Sequence, residues 1–467
     1  MDIEKLKQKI LDLAIRGKLV PQDPNDEPAS VLIEKIKKEK NELIKQGKIK
    51  PSKDDSYIYK GSDNCYYEKK KDDIKNLNSE IPFSLPKNWM WVRIGNYANV
   101  ITDYVASGSF ASLNENVTYY KENNYAILVR TCDFKTNFSK DLVYTDKHGY
   151  DFLKNSNLFG GELLLSNIGA SIGKVFLVPH LNKKMTLAPN SIMVKTVNEQ
   201  LNVYLSYIFK SSYGQSILQN ISFSSAQAKF NKTDFRKILI PIPPLNEQLR
   251  IINQLNLINE KISIINDNSI EISNIINTIK IKILDSYFGE DSSYKSYYEN
   301  EYKLGDLLQY EQPGPFIVKS TKYSYKYTTP VLTPGKSFIL GYTNESDGIY
   351  KVEGSKVIIF DDFTTASKLV DFDFKVKSSA MKILHSLNKE LFDIDYLFYK
   401  LQTINIISDT HKRFWISEYS PLKVRIHTIN EQKKIVKAIN EAFTILNNMS
   451  KSIWFALLLY LKNWIIL

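Results

Sequence analysis

A heptad seam that occurs twice constrains this chain more than any other feature. Behind Asn246-Glu247-Gln248, the residues Ile251, Leu255, Ile258, Ile262, Ile265, Ser269, Ile272, Ile276, Ile279 and Ile283 follow one another by alternating steps of four and three. Behind Asn430-Glu431-Gln432 the rhythm returns at Ile435, Ile439, Ala442, Leu446, Met449, Ile453, Ala456 and Tyr460. Such steps place all these side chains on one stripe of a helix, the pattern of a coiled coil. Neither Gly nor Pro interrupts the first run, so a helix from Asn246 to Phe288 spans about 60 Å. A stripe of that length must be covered, and the two helices can cover each other by packing antiparallel. The second run ends in WFALLLYLKNWIIL, where Lys462 and Asn463 interrupt a stretch already short of the ~20 apolar residues a membrane span needs. It reads as coiled coil.

The residues ahead of each helix also repeat. Val92–Ala98 is echoed by Lys303–Gln309, Ala188–Lys195 by Lys377–Leu384, Val203–Ser211 by Ile394–Gln402, and Pro241–Leu255 by Val424–Ile439. Four echoes in one order indicate a duplicated unit. We therefore expect an N-terminal helical segment (1–50), a linker or flap (51–80), an α/β domain (81–245), a long helix (246–290), a linker (291–301), a second α/β domain (302–429) and a second long helix (430–467). Within the first segment, Ile3, Leu6, Ile10 and Leu13 mark one helix face, with Gly17 as its stop. Pro21–Pro28 reads as an exposed loop and Ser30 as the N-cap of the next helix. Gly160–Val178 reads as two strands joined by a Gly- and Ser-rich loop. Lys9-Ile10-Leu11-Asp12 recurs as Lys282-Ile283-Leu284-Asp285, each followed by a glycine (Gly17, Gly289), whereas the second long helix has no such ending. The expected fold is thus α+β: two α/β domains separated by two long antiparallel coiled-coil helices, a pseudo-twofold repeat with a circularly permuted N-terminal helix.

A net charge of +11 with pI near 9.1 suits a polyanionic partner. Two cysteines, Cys65 and Cys132, form no framework, and MDIEKLKQKI lacks a signal peptide's apolar core; both fit a reducing cytoplasm. Catalytic motifs are missing. Gly335-Lys336-Ser337 resembles a P-loop ending, but Pro330 stands where the earlier glycine belongs. No Asn-Pro-Pro-aromatic or Asp-Pro-Pro-Tyr tetrapeptide of an adenine methyltransferase is present. The five histidines are scattered, without metal-ligand spacing. Asp361-Asp362, with Glu353 and Lys356 nearby, supports an alternative reading as a self-sufficient Mg²⁺-dependent nuclease. The simpler reading is a loop whose acids cap turns or accept from a cytosine amino group. What remains is polar loops suited to nucleic acid: Asn167, Ser171 and Lys174 after the strand at 163, then Ser225, Gln227 and Lys229 ahead of the first long helix. In the second domain Lys412 and Arg413 sit at the equivalent place, Thr364, Thr365 and Lys368 lie in another loop, and Lys336 is a further candidate. Hydroxyls and amides suit base edges, and Lys and Arg suit phosphate or guanine. No metal ligands and no bound cofactor are expected in the chain.

These residues match a family. LPKNWMWVRIGN (85–96), IPIPPLNEQLRI (240–251) with its weaker second copy, and LAIRGKLVPQDPNDEPAS (13–30) resemble the DNA-specificity subunit of type I restriction–modification systems. GYTNESDGIY (341–350) and residues 358–384 look like one variety of its target-recognition domain. The resemblance implies two target-recognition domains, each reading one half of a split double-stranded DNA sequence across a gap set by the helices. It implies docking of two methyltransferase (modification) subunits and a restriction (motor-nuclease) subunit. S-adenosylmethionine, ATP and Mg²⁺ would belong to those partners, and the methylated base would be adenine.

Overall fold

The computed structural model describes residues 3–466 apart from 52–54, 223–227, 290–291, 295–297, 334–336, 405 and 407–412, and it describes no side chains over 461–466. The chain divides into two compact units, Met1–Ser263 and Ile264–Leu467.

The first unit is built on a four-stranded antiparallel sheet in the order Val175–Leu177, Leu163–Ser166, Ser191–Lys195, Val100–Asp103. A second sheet runs Tyr144–Thr145, Ala126–Val129, Lys184–Leu187, Asn157–Leu158, with its central pair parallel. Its AILV run and the LLL of the first sheet are buried throughout, as continuous apolar strands covered on both faces should be. A ribbon of Leu239–Ile242 against Met90–Arg93 leads into the long helix.

The second unit repeats this plan. Its main sheet runs Ser367–Val370, Val357–Asp361, Met381–Ser386, Leu308–Glu311, all antiparallel. Its second sheet runs Ile339–Thr343, Thr329–Leu332, Lys375–Val376, again with one antiparallel and one parallel pair. Its ribbon pairs Lys423–His427 with Tyr298–Lys303. Strand order and pairing sense match the first unit, apart from one extra strand there, so the weak sequence echoes do mark a structural duplication.

The helices are Leu245–Phe288 and Ile429–Ile466. From Ile251 to Ile265 the predicted seam is buried, and so are Ile435 and Ile439. Further along, Ile279, Met449, Ile453 and Tyr460 are exposed, and burial passes to Leu284, Phe288 and Leu458. A straight α-helix drifts by about 20° per heptad from a strict seven-residue repeat, which rotates the seam off the covered face. Within the second unit, Leu284 and Phe288 share a core with Ile435 and Ile439. Lys280 Nζ bonds Asn447 Oδ1 at 2.8 Å, so these two helical segments run antiparallel. No described helix is long and apolar enough to cross a membrane.

The repeated Lys-Ile-Leu-Asp segments fill matching places. In the first unit the helix Ile3–Ile15 buries Ile10 and Ile15 and lies on the helix Glu199–Lys210. There Gln8 donates to Lys210 O (3.3 Å) and Asp12 accepts from Ser212 N (3.2 Å). In the second unit the end of the long helix lies on Ile394–Gln402, with Phe288 edge-on to Tyr396 at 5.2 Å. The circular permutation is thus visible inside each unit.

Three details depart from the sequence reading. Pro21–Pro28 is exposed except for Asp26, whose carboxylate pairs with Arg250 at 2.5 Å. The following helix starts at Ala29 with Pro28 at the cap position, so Ser30 lies inside the first turn. The expected linker holds a three-stranded sheet, Tyr57–Lys60, Tyr66–Lys70 and Asp73–Asn76. This sheet folds because Arg93 bonds Glu68 (2.8 Å) and Glu80 (2.9 Å), while Ile58 and Leu77 are buried with Trp91.

Candidate nucleic-acid interface

The two Asn-Glu-Gln segments clamp each ribbon to its helix. Gln248 is buried; its Nε2 donates to Pro243 O (3.1 Å) and its Oε1 accepts from Tyr97 OH (3.0 Å). Gln432 donates to His427 O (2.8 Å) and Leu391 O (3.0 Å) and accepts from Asp393 N (2.8 Å). In both copies the amide reaches the carbonyl five residues back. About two turns further along, Tyr207 OH donates to Asn256 Oδ1 (2.6 Å), and in the second unit Tyr399 OH donates to Asn440 Oδ1 (2.5 Å). Asn256 and Asn440 stand at equal distances from their Asn-Glu-Gln starts, so the contact is duplicated too. The second position flanking each hydroxyl differs. Asn259 lies near the Tyr207 hydroxyl, whereas Phe443 stands edge-on to Tyr399 at 5.6 Å. Both tyrosines lie within the echoed segments Val203–Ser211 and Ile394–Gln402, and the recurrence of Asn ten residues behind each Asn-Glu-Gln start was the signal for their partners.

The glutamates have diverged. Glu247 is buried and accepts from Trp89 Nε1 (2.9 Å) and Gln22 Nε2 (2.5 Å). Burial raises its pKa, against these hydrogen bonds and the charge of Arg250. Glu431 forms a surface pair with Lys434 at 2.6 Å.

In the first unit, the strands Leu163–Ser166 and Val100–Asp103 end, and Ser191–Lys195 and Val175–Leu177 begin, at one edge of the sheet. Here Asn167 and Lys229 come together. Asn167 Nδ2 donates to Phe230 O (3.0 Å), Phe230 N returns a bond to Asn167 O (3.1 Å), and Ile168 pairs with Lys229 in a β-bridge. The Asn167 amide nitrogen therefore holds the loop, while Lys229 stays exposed on it. Gly169 sits at φ +71° with open space where a Cβ would point, so its backbone can approach a ligand closely. Ser171 is half-buried. Lys174 is exposed on the opposite flank, lining a cleft with Gln8, Tyr207 and Gln215. Ser225 and Gln227 lie outside the described residues.

The equivalent edge of the second unit carries the turn after Val357–Asp361. Asp361 Oδ1 accepts from Phe363 N (2.8 Å) and Thr364 N (3.0 Å), capping the turn. This leaves Phe363 48% exposed, with Thr364 also exposed and Thr365 at φ +59°. Asp362 is 1% exposed and accepts from Phe414 N on its carbonyl (2.9 Å) and Trp415 N on its carboxylate (2.8 Å). Those bonds hold the segment that begins at exposed Arg413 against Asp362, at the foot of this turn. Lys368 stands further along the strand, opposite Ile359. Lys280, whose pKa is lowered mainly by burial, also feels the charge of Lys368, which places Lys368 on the long-helix side. Lys336 and Lys412 lie outside the described residues.

The acids of the nuclease alternative serve the fold. Asp361 caps its turn, Asp362 lies 3.6 Å from Lys382 Nζ, and Lys356 pairs with Asp395 at 2.6 Å. Glu353 occupies a left-handed turn position at φ +50°. Among the described residues no group of three or more His, Cys, Asp or Glu could hold a metal ion. The nuclease reading finds no assembled site there. Sequence reasoning also passed over Gln312 and Lys382 at this same edge. The available signal was a lysine inside the apolar strand MKIL.

Comparison with known proteins places this architecture. Residues 86–274 match the family model described as the type I restriction modification DNA specificity domain. The specificity subunit of the Escherichia coli type I restriction enzymes EcoR124I/EcoR124II is 47% identical over 149 residues, covering 32% of this chain and 37% of that protein. The E. coli EcoEI specificity subunit is 29% identical over 256 residues, covering 54% of this chain and 38% of the relative. The matched part thus spans well under half the length of either relative. A solved chain from a study of complex assembly and conformational transition of the type I R-M system aligns with TM-score 0.53 at 14% identity, over 82% of this chain and 97% of that one; the likeness is one of fold. Residues 86–274 are thus similar to a type I restriction modification DNA specificity domain.

Proposed function

We propose that this chain is the DNA-specificity subunit of a type I restriction–modification complex. Each unit reads one half of a bipartite double-stranded target, and the chain directs adenine methylation and restriction by partner subunits. The observation that carries this reading is the duplication: one sheet order, one Asn-Glu-Gln clamp and one Tyr–Asn contact occur in both units, as a two-part target requires. The family match over 86–274 covers the first copy and supports a DNA-reading role for the repeated unit. On this reading the chain is itself non-catalytic and works in the cytoplasm. Two modification subunits and a motor-nuclease subunit supply S-adenosylmethionine, ATP and Mg²⁺ chemistry. DNA binding by the chain alone is weak and steeply salt-dependent, because exposed cations such as Lys229 and Arg413 meet phosphates.

The test is methylome sequencing of a host expressing the chain with its modification subunit. A split adenine-methylated motif is expected, and exchanging residues 302–429 for another recognition domain should change one half only. Methylation by the purified chain with S-adenosylmethionine and no partner would refute the proposal.

A further inference from the structure

The polar group that sequence reading left aside is Gln312, and its surroundings fix which way its amide faces. It follows the strand Leu308–Glu311 at the edge that carries Asp362, Thr364 and Arg413, and it is exposed. Lys382 Nζ donates to Gln312 Oε1 at 3.1 Å. An ammonium group has donors only, so the atom facing it must be the amide oxygen. Lys382 cannot swing away. It is 1% exposed, lies 3.6 Å from the Asp362 carboxylate and sits 5.2 Å from the centre of the Tyr310 ring. The same Asp362 carboxylate receives the N–H of Trp415, next but one to Arg413. One buried acid–lysine pair therefore anchors Gln312 on one side and the segment beginning at Arg413 on the other. Gln312 Nε2 has no partner among the described residues.

A free glutamine can turn its amide to read adenine with both donor and acceptor. This one presents a donor alone. Resting on the DNA-reading role above, we propose that Gln312 is a specificity-determining residue of the second unit and reads one base edge in the major groove as a hydrogen-bond donor. A donor there accepts guanine through N7 or O6, adenine through N7 and thymine through O4. It rejects cytosine, whose only polar groove group is the N4 donor. Lys382 acts through Gln312 as a positioning residue and does not touch DNA.

The test uses the full chain in its assembled methyltransferase complex and methylation of duplexes carrying each base at every target position. Gln312→Ala trims an exposed side chain and leaves the fold intact. It should cut the preference against cytosine at one position of one half-site by about tenfold, leaving the other half-site and the gap unchanged. Gln312→Glu replaces the outward donor with an acceptor and keeps an oxygen toward Lys382. It should shift the same position toward cytosine or adenine, whose amino groups can donate. Wild-type preferences in both variants would overturn the inference. So would an equal loss across all sequences, which marks a phosphate contact, or a change in both half-sites. If the wild-type complex methylates no split target, the underlying reading fails instead.

Discussion

Replacing Gln248 with leucine tests the clamp directly. The two side chains are close in size, so the change leaves little cavity and acts through hydrogen bonds. Tyr97, fully buried, loses the acceptor of its hydroxyl, and the buried Pro243 carbonyl loses a donor. A buried polar group left unpartnered costs about 1–3 kcal/mol, so two of them should destabilise the first unit by about 2–6 kcal/mol. Because two compact units need not unfold together, a local probe is needed. Native-state hydrogen exchange of Ile240 and Ile242, compared with Val424 and Ile426, supplies one. Protection at the first pair should fall by at least roughly 30-fold, while the second pair is unchanged. Adding Tyr97→Phe removes the stranded hydroxyl and should restore about 1–2 kcal/mol. A loss below about 1 kcal/mol, or an equal loss at both pairs, would refute the assignment of this glutamine as a buried clamp.

Other consequences follow from single sites. Glu247 has a folded-state pKa raised chiefly by burial, so the folded form holds its proton more tightly than the unfolded one. Stability must then decline as pH rises past the ordinary carboxyl value of 4.5 and through the raised one; Glu247→Gln should match wild type below that range and exceed it at neutral pH in urea titrations. Asp26 behaves oppositely, because its hydrogen bond to Arg250 lowers its pKa. Its contribution is present above 3.8 and is lost as pH falls through the lowered value, so Asp26→Asn should destabilise at pH 7 and converge with wild type in acid. A Cβ on Gly214 would strike the Ile208 carbonyl and Phe209 Cα, backbone atoms that cannot turn aside, so Gly214→Ala should cost about 1–3 kcal/mol in the same titrations.

The departures from the sequence reading share one cause. The heptad rhythm located both long helices to within two residues, since a periodic stripe is a local property of the chain. It misplaced the buried positions beyond Ile265, because which face is covered depends on what packs there and a straight helix drifts from a strict heptad. The strands of residues 57–76 were read as linker because their stability comes from outside the segment, through Arg93 and Trp91. Asn167 illustrates the same limit at the candidate interface. Its loop was legible, but its amide nitrogen proves to be held by Phe230, far along the chain.

The sequence by itself determined the duplication, the two helices, the permuted N-terminal segment and the family these resemble. Each is written in spacing or in local motif. Tertiary structure alone decided which polar groups meet: Tyr207 with Asn256, Tyr399 with Asn440, and Lys382 with both Gln312 and Asp362. Those pairings depend on strand register and on helices packed across long stretches of chain, and no period in the sequence records them.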